Sequence, residues 1–122
     1  MNHTIRQVGD LLRVHMWGRK DDVPPSSVCK AALEECGKHK LKRILVELTQ
    51  EKALSHLSQY LLVDRLRQFG CTHEHRIALV HHTPGLYEAC DMIELVAENR
   101  GLHVRNFRDV PSALRWLESS DH

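Results

Sequence analysis

Two adjacent histidines, His81 and His82, follow an apolar run in "RIALVHHTPG" (76–85). Imidazoles can ligate a metal, relay a proton or bind an anion. Neighbours in an extended strand point to opposite faces, so these two are not expected to chelate one ion together. A second candidate lies just upstream: "CTHEH" (71–75) puts Cys71, His73 and His75 at alternate positions. If that segment were extended, all three side chains would share a face, and thiol and imidazole are good zinc ligands. A strand separates His75 from His81 by roughly 20 Å, so the two clusters cannot combine. The simpler reading of each is a polar loop at a strand end, and no metal or other cofactor is expected.

Other chemistry is sparse. There is no GxSxG for a nucleophile, and no GxGxxG or GxxxxGK[ST] to cradle phosphates. Four cysteines occur without a CxxC pair. Cys29 and Cys36 are two helical turns apart, roughly 10 Å, beyond the span of a disulfide. With Cys90 they lie on apolar helix stripes and read as buried, inert thiols. Cys71 is the one thiol expected near solvent. The chain is therefore expected not to be an enzyme.

The elements that position these residues follow from periodicity. "TIRQVGDLLRVHMWG" (4–18) reads as two strands joined at Gly9-Asp10, with Leu12, Val14 and Met16 alternating against Arg13, His15 and Trp17. "DDVPPSSVCKAALEECG" (21–37) reads as a helix, with Ser26 and Ser27 as N-cap candidates and Gly37 as its stop. "RILVEL" (43–48) and "RIALV" (76–80) have the composition of buried parallel strands. Helices are predicted over 53–70 and 84–101. The first would turn Leu54, Leu57, Leu61, Leu62, Leu66 and Phe69 inward, and the second Leu86, Ala89, Cys90, Ile93 and Ala97. A strand over 102–107 and a helix over 109–119 close the chain, with Asp109 as N-cap and Pro111 in the first turn. The order β-β-α-β-α-β-α-β-α implies an α/β fold. Its sheet is four- to five-stranded and mostly parallel, its first strand antiparallel, and about four helices wind along one side. Length suggests one domain over residues 1–122.

In such folds ligands sit beyond the carboxyl ends of the strands. The loops there would bring together Arg19 and Lys20, Thr49, Ser55 and His56, His81, His82 and Thr83, and Arg108. This is a polar, partly basic rim suited to a small anionic ligand.

The C-terminal third resembles the SpoIIAA-like, or STAS/SEC14-like, bacterial branch of the STAS superfamily. The likeness rests on an "R-x-A-L-V" strand (Arg76–Val80), a helix ending in "N-R-G" (Asn99–Gly101), a strand "L-x-V-R-x-F" (Leu102–Phe107) and a helix "A-L-x-W-L" (Ala113–Leu117). "RILVEL" matches the family's third strand. These residues are mostly structural, with Phe107, Leu114, Trp116 and Leu117 expected over the sheet end. The resemblance implies a STAS-type fold and a regulatory or binding role exerted through protein contacts. Its SEC14-like label implies, as an alternative, binding of a lipid or anionic metabolite at the rim. Better-studied STAS proteins carry a phosphorylatable serine in a "D-S-x-G"-like turn. The matching segment "TQEKALSHLSQY" (49–60) has Ser55 and Ser58 but neither the aspartate nor the glycine.

Surfaces and charge narrow the partners. Tyr60 and Val63 on one helix, and Met92, Leu95 and Val96 on the next, extend the apolar stripes outward and could receive a protein partner or a second copy. The chain carries 17 basic and 16 acidic side chains, a net charge of +1, so no nucleic-acid partner is expected. It has no apolar run of about 18 residues, and its N-terminus lacks the apolar segment of a secretory signal. No membrane span and a cytoplasmic location are therefore expected.

Overall fold

The computed structural model describes residues 2–18, 25–50 and 55–119. Its elements are β1 (Asn2–Val8), β2 (Leu11–Gly18), α1 (Pro25–His39), β3 (Arg43–Gln50), α2 (His56–Gln68), β4 (Arg76–His81), α3 (Leu86–Ala89), α4 (Asp91–Asn99), β5 (His103–Phe107) and α5 (Val110–Glu118). Gly9, at φ 62°, makes the two-residue turn that folds β1 back onto β2, with Val8 opposite Leu11. The sheet runs in the order β1-β2-β3-β4-β5, antiparallel at β1–β2 and parallel thereafter.

Strand alternation sorts the side chains into two cores. Leu12, Val14, Ile44, Val46, Ile77 and Val104 face one way and are covered by α1, α2 and α4, which contribute Val28, Leu33, Val63, Leu66, Ile93 and Ala97. Leu45, Ala78 and Val80 face the other way and meet Ala113 and Leu117 of α5. The helices therefore do not all lie on one side. Each right-handed crossover between neighbouring parallel strands stays on one face, but α5 follows the last strand and leads to no further one. Its apolar stripe settles on the opposite face, where Leu11, Phe107, Leu114 and Trp116 border it.

The matched strand and helix motifs explain themselves in this contact. Arg76 Nη1 donates to the Trp116 carbonyl at 2.8 Å and to the Ser119 carbonyl, and its guanidinium lies 5.6 Å from the Trp116 ring centre. It thus serves the C-terminal carbonyls of α5, where a cation also favours the helix dipole. Asp109 caps the other end, accepting from Ser112 N–H at 2.8 Å.

Several sequence expectations shift. α1 runs past Gly37 to His39. Lys40 takes the left-handed position at φ 55°, and Leu41 N–H bonds back to the Cys36 carbonyl at 2.9 Å, as in a Schellman stop. Ser26 and Ser27 lie inside the first turn of α1 rather than before it. The predicted helix over 84–101 is divided into α3 and α4. The break falls where the Ala89 and Cys90 carbonyls accept from the side chains of Gln59 and Asn106, at 2.9 and 3.0 Å. Cys71 is buried, not near solvent.

α2 is rotated from its expected phase. Buried Gln59, Val63 and Leu66 form its inner line, whereas Leu57 and Leu61 are 67% and 44% exposed; Leu54 lies outside the described residues. The cause is Gln59, whose side-chain amide donates to the Ala89 carbonyl at the end of α3 and so sets the helix phase. The expected outer stripe changes accordingly. Tyr60 and Leu95 are exposed, but Val63 and Val96 are buried and Met92 packs against the core. Among the described residues no helix is long and apolar enough to cross a membrane.

Truncating the α5 anchor should be costly. Leu117→Ala is expected to lose about 2–5 kcal/mol, and Leu61→Ala about 0.5 kcal/mol or less, in urea titrations at neutral pH.

Candidate functional site

The carboxyl end of the sheet holds two polar arrangements, one on each face, and the adjacent histidines divide between them. His81 ends β4 on the side of α1, α2 and α4 and is buried. Its Nε2 lies 2.7 Å from Asn106 Oδ1. Asn106 is held on three sides: its Nδ2 donates to the Cys90 carbonyl at 3.0 Å, and its backbone N–H donates to Glu94 Oε1 at 3.0 Å. A carbonyl only accepts, so Asn106 must turn its oxygen toward His81, and His81 must carry its proton on Nε2. That leaves Nδ1 as a buried acceptor with no hydrogen-bond partner among the described residues. The Tyr87 ring stands edge-on, 6.4 Å away. Burial pushes the His81 pKa below its ordinary value and outweighs the opposing pull of Asn106, Glu94 and Glu88.

His82 continues the strand ladder, its N–H bonding to the Leu48 carbonyl at 3.0 Å, and turns to the opposite face. Its Nε2 meets Glu47 Oε1 at 3.2 Å, and Arg13 Nη2 meets Glu47 Oε2 at 2.9 Å. Beside them, His15 Nε2 lies 3.2 Å from Thr49 Oγ1, and the His15 and Trp17 rings are 5.0 Å apart. The parallel register creates this cluster, because β2 and β3 place His15 beside Glu47 and Trp17 beside Thr49. Partial burial would raise the Glu47 carboxyl. Hydrogen bonds and charge from Arg13 and His82 together outweigh it and hold the group below its usual range.

Of the remaining described rim candidates, Ser55 and Thr83 make local turn contacts, and Arg108 lies beside the His81 arrangement through Tyr87. Ser55 is the N-cap of α2: its Oγ accepts from Ser58 N–H at 3.1 Å and donates to Ser58 Oγ at 3.0 Å. Thr83 opens the turn into α3, its carbonyl accepting from Leu86 N–H at 3.2 Å. Arg108 is exposed, pairs with Glu88 at 2.5 Å and lies 4.4 Å from the Tyr87 ring centre. Arg19 and Lys20, and the side chain of His56, lie outside the described residues. Among the described rim candidates, alternation sends His81 to one face of the sheet and His82 to the other.

Arg13, His15, Trp17, Glu47 and Asn106 complete the two arrangements without having been singled out. Their signals were faint but present: the polar half of β2, and a lone charge inside "RILVEL".

The "CTHEH" segment is not extended. His75 N–H bonds to the Thr72 carbonyl at 3.1 Å, and its Nδ1 accepts from Thr72 N–H at 3.1 Å, which makes a tight turn. Among the described residues no group of three or more His, Cys, Asp and Glu could hold a metal ion. Burial pushes the thiols of Cys36 and Cys71 up to about 11, away from nucleophilic character.

Between the sheet and α1, α2 and α4 lies an apolar cavity of about 70 Å³, walled by Val14, Val46, Leu66, Ile77, Ile93 and Val104 among others. A scan of protein-family models finds no match to the chain, and a search of curated proteins finds none.

The buried His81 has a thermodynamic consequence. Its native pKa is depressed, so the unfolded chain takes up a proton first as pH falls through about 6.5, and stability declines from there down to the native pKa. His75, also held low by burial, adds the same sign. The urea midpoint is expected to fall between pH 7.5 and 5.5, and more shallowly in His81→Gln, where the amide can still donate to Asn106.

Proposed function

We propose that this chain is a non-enzymatic regulatory or binding module of the STAS-like type that acts through protein–protein contacts. The observation that carries this reading is the outer surface of the packed α2–α4 pair. Leu57, Tyr60, Leu61 and Leu95 are 67%, 44%, 44% and 53% exposed there. Arg100 borders Tyr60, 4.5 Å from its ring centre, and lies 3.4 Å from Asp64. Apolar side chains beside a cationic one make a surface suited to a partner, since arginine and aromatic groups dominate contact energy. The fold topology and the matched strand and helix motifs support the STAS-like assignment.

Affinity capture tests this directly. A partner held by the wild-type chain should be lost from Leu57→Asp/Leu61→Asp, with the thermal midpoint of the variant moved by only a few degrees. A partner retained equally by both would remove α2 from the interface, and a turnover abolished by a single rim substitution would replace this reading with an enzymatic one.

A second reading, binding of a small apolar or lipid-like ligand, is favoured by the cavity. At about 70 Å³ it has room for a few methylene groups and no polar lining that would hold water. Native mass spectrometry of protein purified from cells should then show a species heavier than the 14.1 kDa chain. Filling the space with Ala32→Leu should abolish that species.

A further inference from the structure

The two edges of the sheet are finished differently. β5 spans only His103–Phe107 and carries Arg105, and its Asn106 N–H is occupied by Glu94 Oε1 at 3.0 Å. Short length, charge and a capped amide are the means by which an edge avoids pairing with another chain. β1 also carries one arginine, Arg6, but it is the longer strand. It runs for seven residues, Asn2–Val8, without proline, lysine or bulge, and among the described residues it neighbours only β2.

The hairpin decides which of its backbone groups face away from β2. A two-residue turn makes Val8 and Leu11 the closing hydrogen-bonded pair. Bonding then alternates, so Thr4, Arg6 and Val8 address β2. The N–H and C=O groups of His3, Ile5 and Gln7 point away from the sheet.

We propose that β1 is the interface of a homodimer, pairing antiparallel with β1 of a second copy and joining two five-stranded sheets into one. The strand is complementary to itself. Outward groups can match only outward groups, which limits the dyad to few positions. Centred on Ile5, it sets Ile5 against the partner's Ile5, His3 against the partner's Gln7, and Arg6 against the partner's Thr4. All seven strand residues are then paired, with about six new backbone hydrogen bonds. Centring on Arg6 would oppose two like charges, and centring on Thr4 would leave Gln7 and Val8 beyond the end of the partner's strand. Ile5 already packs against the core under α1, α2 and α4, so its counterpart across the dyad extends that core.

Sedimentation equilibrium from about 10 µM to about 1 mM should give a concentration-dependent mass approaching twice 14.1 kDa. Amide exchange of His3, Ile5 and Gln7 should slow over the same range, while exposed loop amides do not change. Gln7→Pro removes one outward N–H and leaves the bonds to β2, so it should shift the mass to the monomer with a preserved circular dichroism spectrum. If Gln7→Pro fails to fold, cross-linking decides. Hydrogen-bonded partners lie about 5.5 Å apart at Cα, so Ile5→Cys should oxidise to a covalent dimer and Gln7→Cys should not. A monomer at all concentrations overturns the proposal. So does a dimer whose exchange protection falls elsewhere, or one cross-linked as readily through position 7.

Discussion

The structure depends on the two central strands, β3 and β4, being buried on both faces. A parallel strand in mid-sheet has its backbone hydrogen bonds on each side and apolar neighbours above and below, so it must serve two cores at once. Ile44 and Ile77 serve one, and Leu45 and Ala78 the other, in strict alternation. This is why α5 must cross to the far face: without it, fully buried Leu45, Ala78 and Val80 would meet water. The Arg76 contact to the end of α5 follows from the same need, since it ties the first residue of β4 to the helix covering that strand.

Where alternation continues past the apolar stretch, it generates the polar end of the molecule. The helix side receives His81, locked to Asn106, and the other side receives His82, locked to Glu47. The two arrangements differ physically. Around His81 burial outweighs the pull of Glu94 and Glu88 and holds the imidazole pKa below its ordinary value. Around Glu47 the charges are paired and half-exposed, and they hold the carboxylate ionised. The first fixes the join between α3 and α4; the second decorates the part of the sheet that α5 leaves open.

Much of the fold was legible because its signals are local. Strand alternation, the Gly9-Asp10 turn, the Asp109 cap and the parallel-strand composition of "RILVEL" each act over a few residues. The phase of α2 was not legible, because leucines surround that helix and a polar residue, Gln59, decides which side faces in. The division at Cys90 was hidden for the same reason, since the side chains that take its carbonyl and its neighbour's come from other elements. Of the candidate site, the individual histidines could be picked out, but their partners Asn106 and Glu47 sit 25 and 35 residues away and meet them only through strand register.

By itself the sequence determined the order of elements, the mostly parallel sheet with its antiparallel first strand, and the opposite directions of His81 and His82. These depend on period and turn chemistry, which neighbours along the chain impose. Tertiary structure alone decided the side on which α5 lies, the rotation of α2, the burial of Cys71 and the pairing of Glu47 with Arg13 and His82. Those depend on which surfaces meet and on where a buried polar group finds its hydrogen bond, and both are properties of the assembled sheet rather than of any segment.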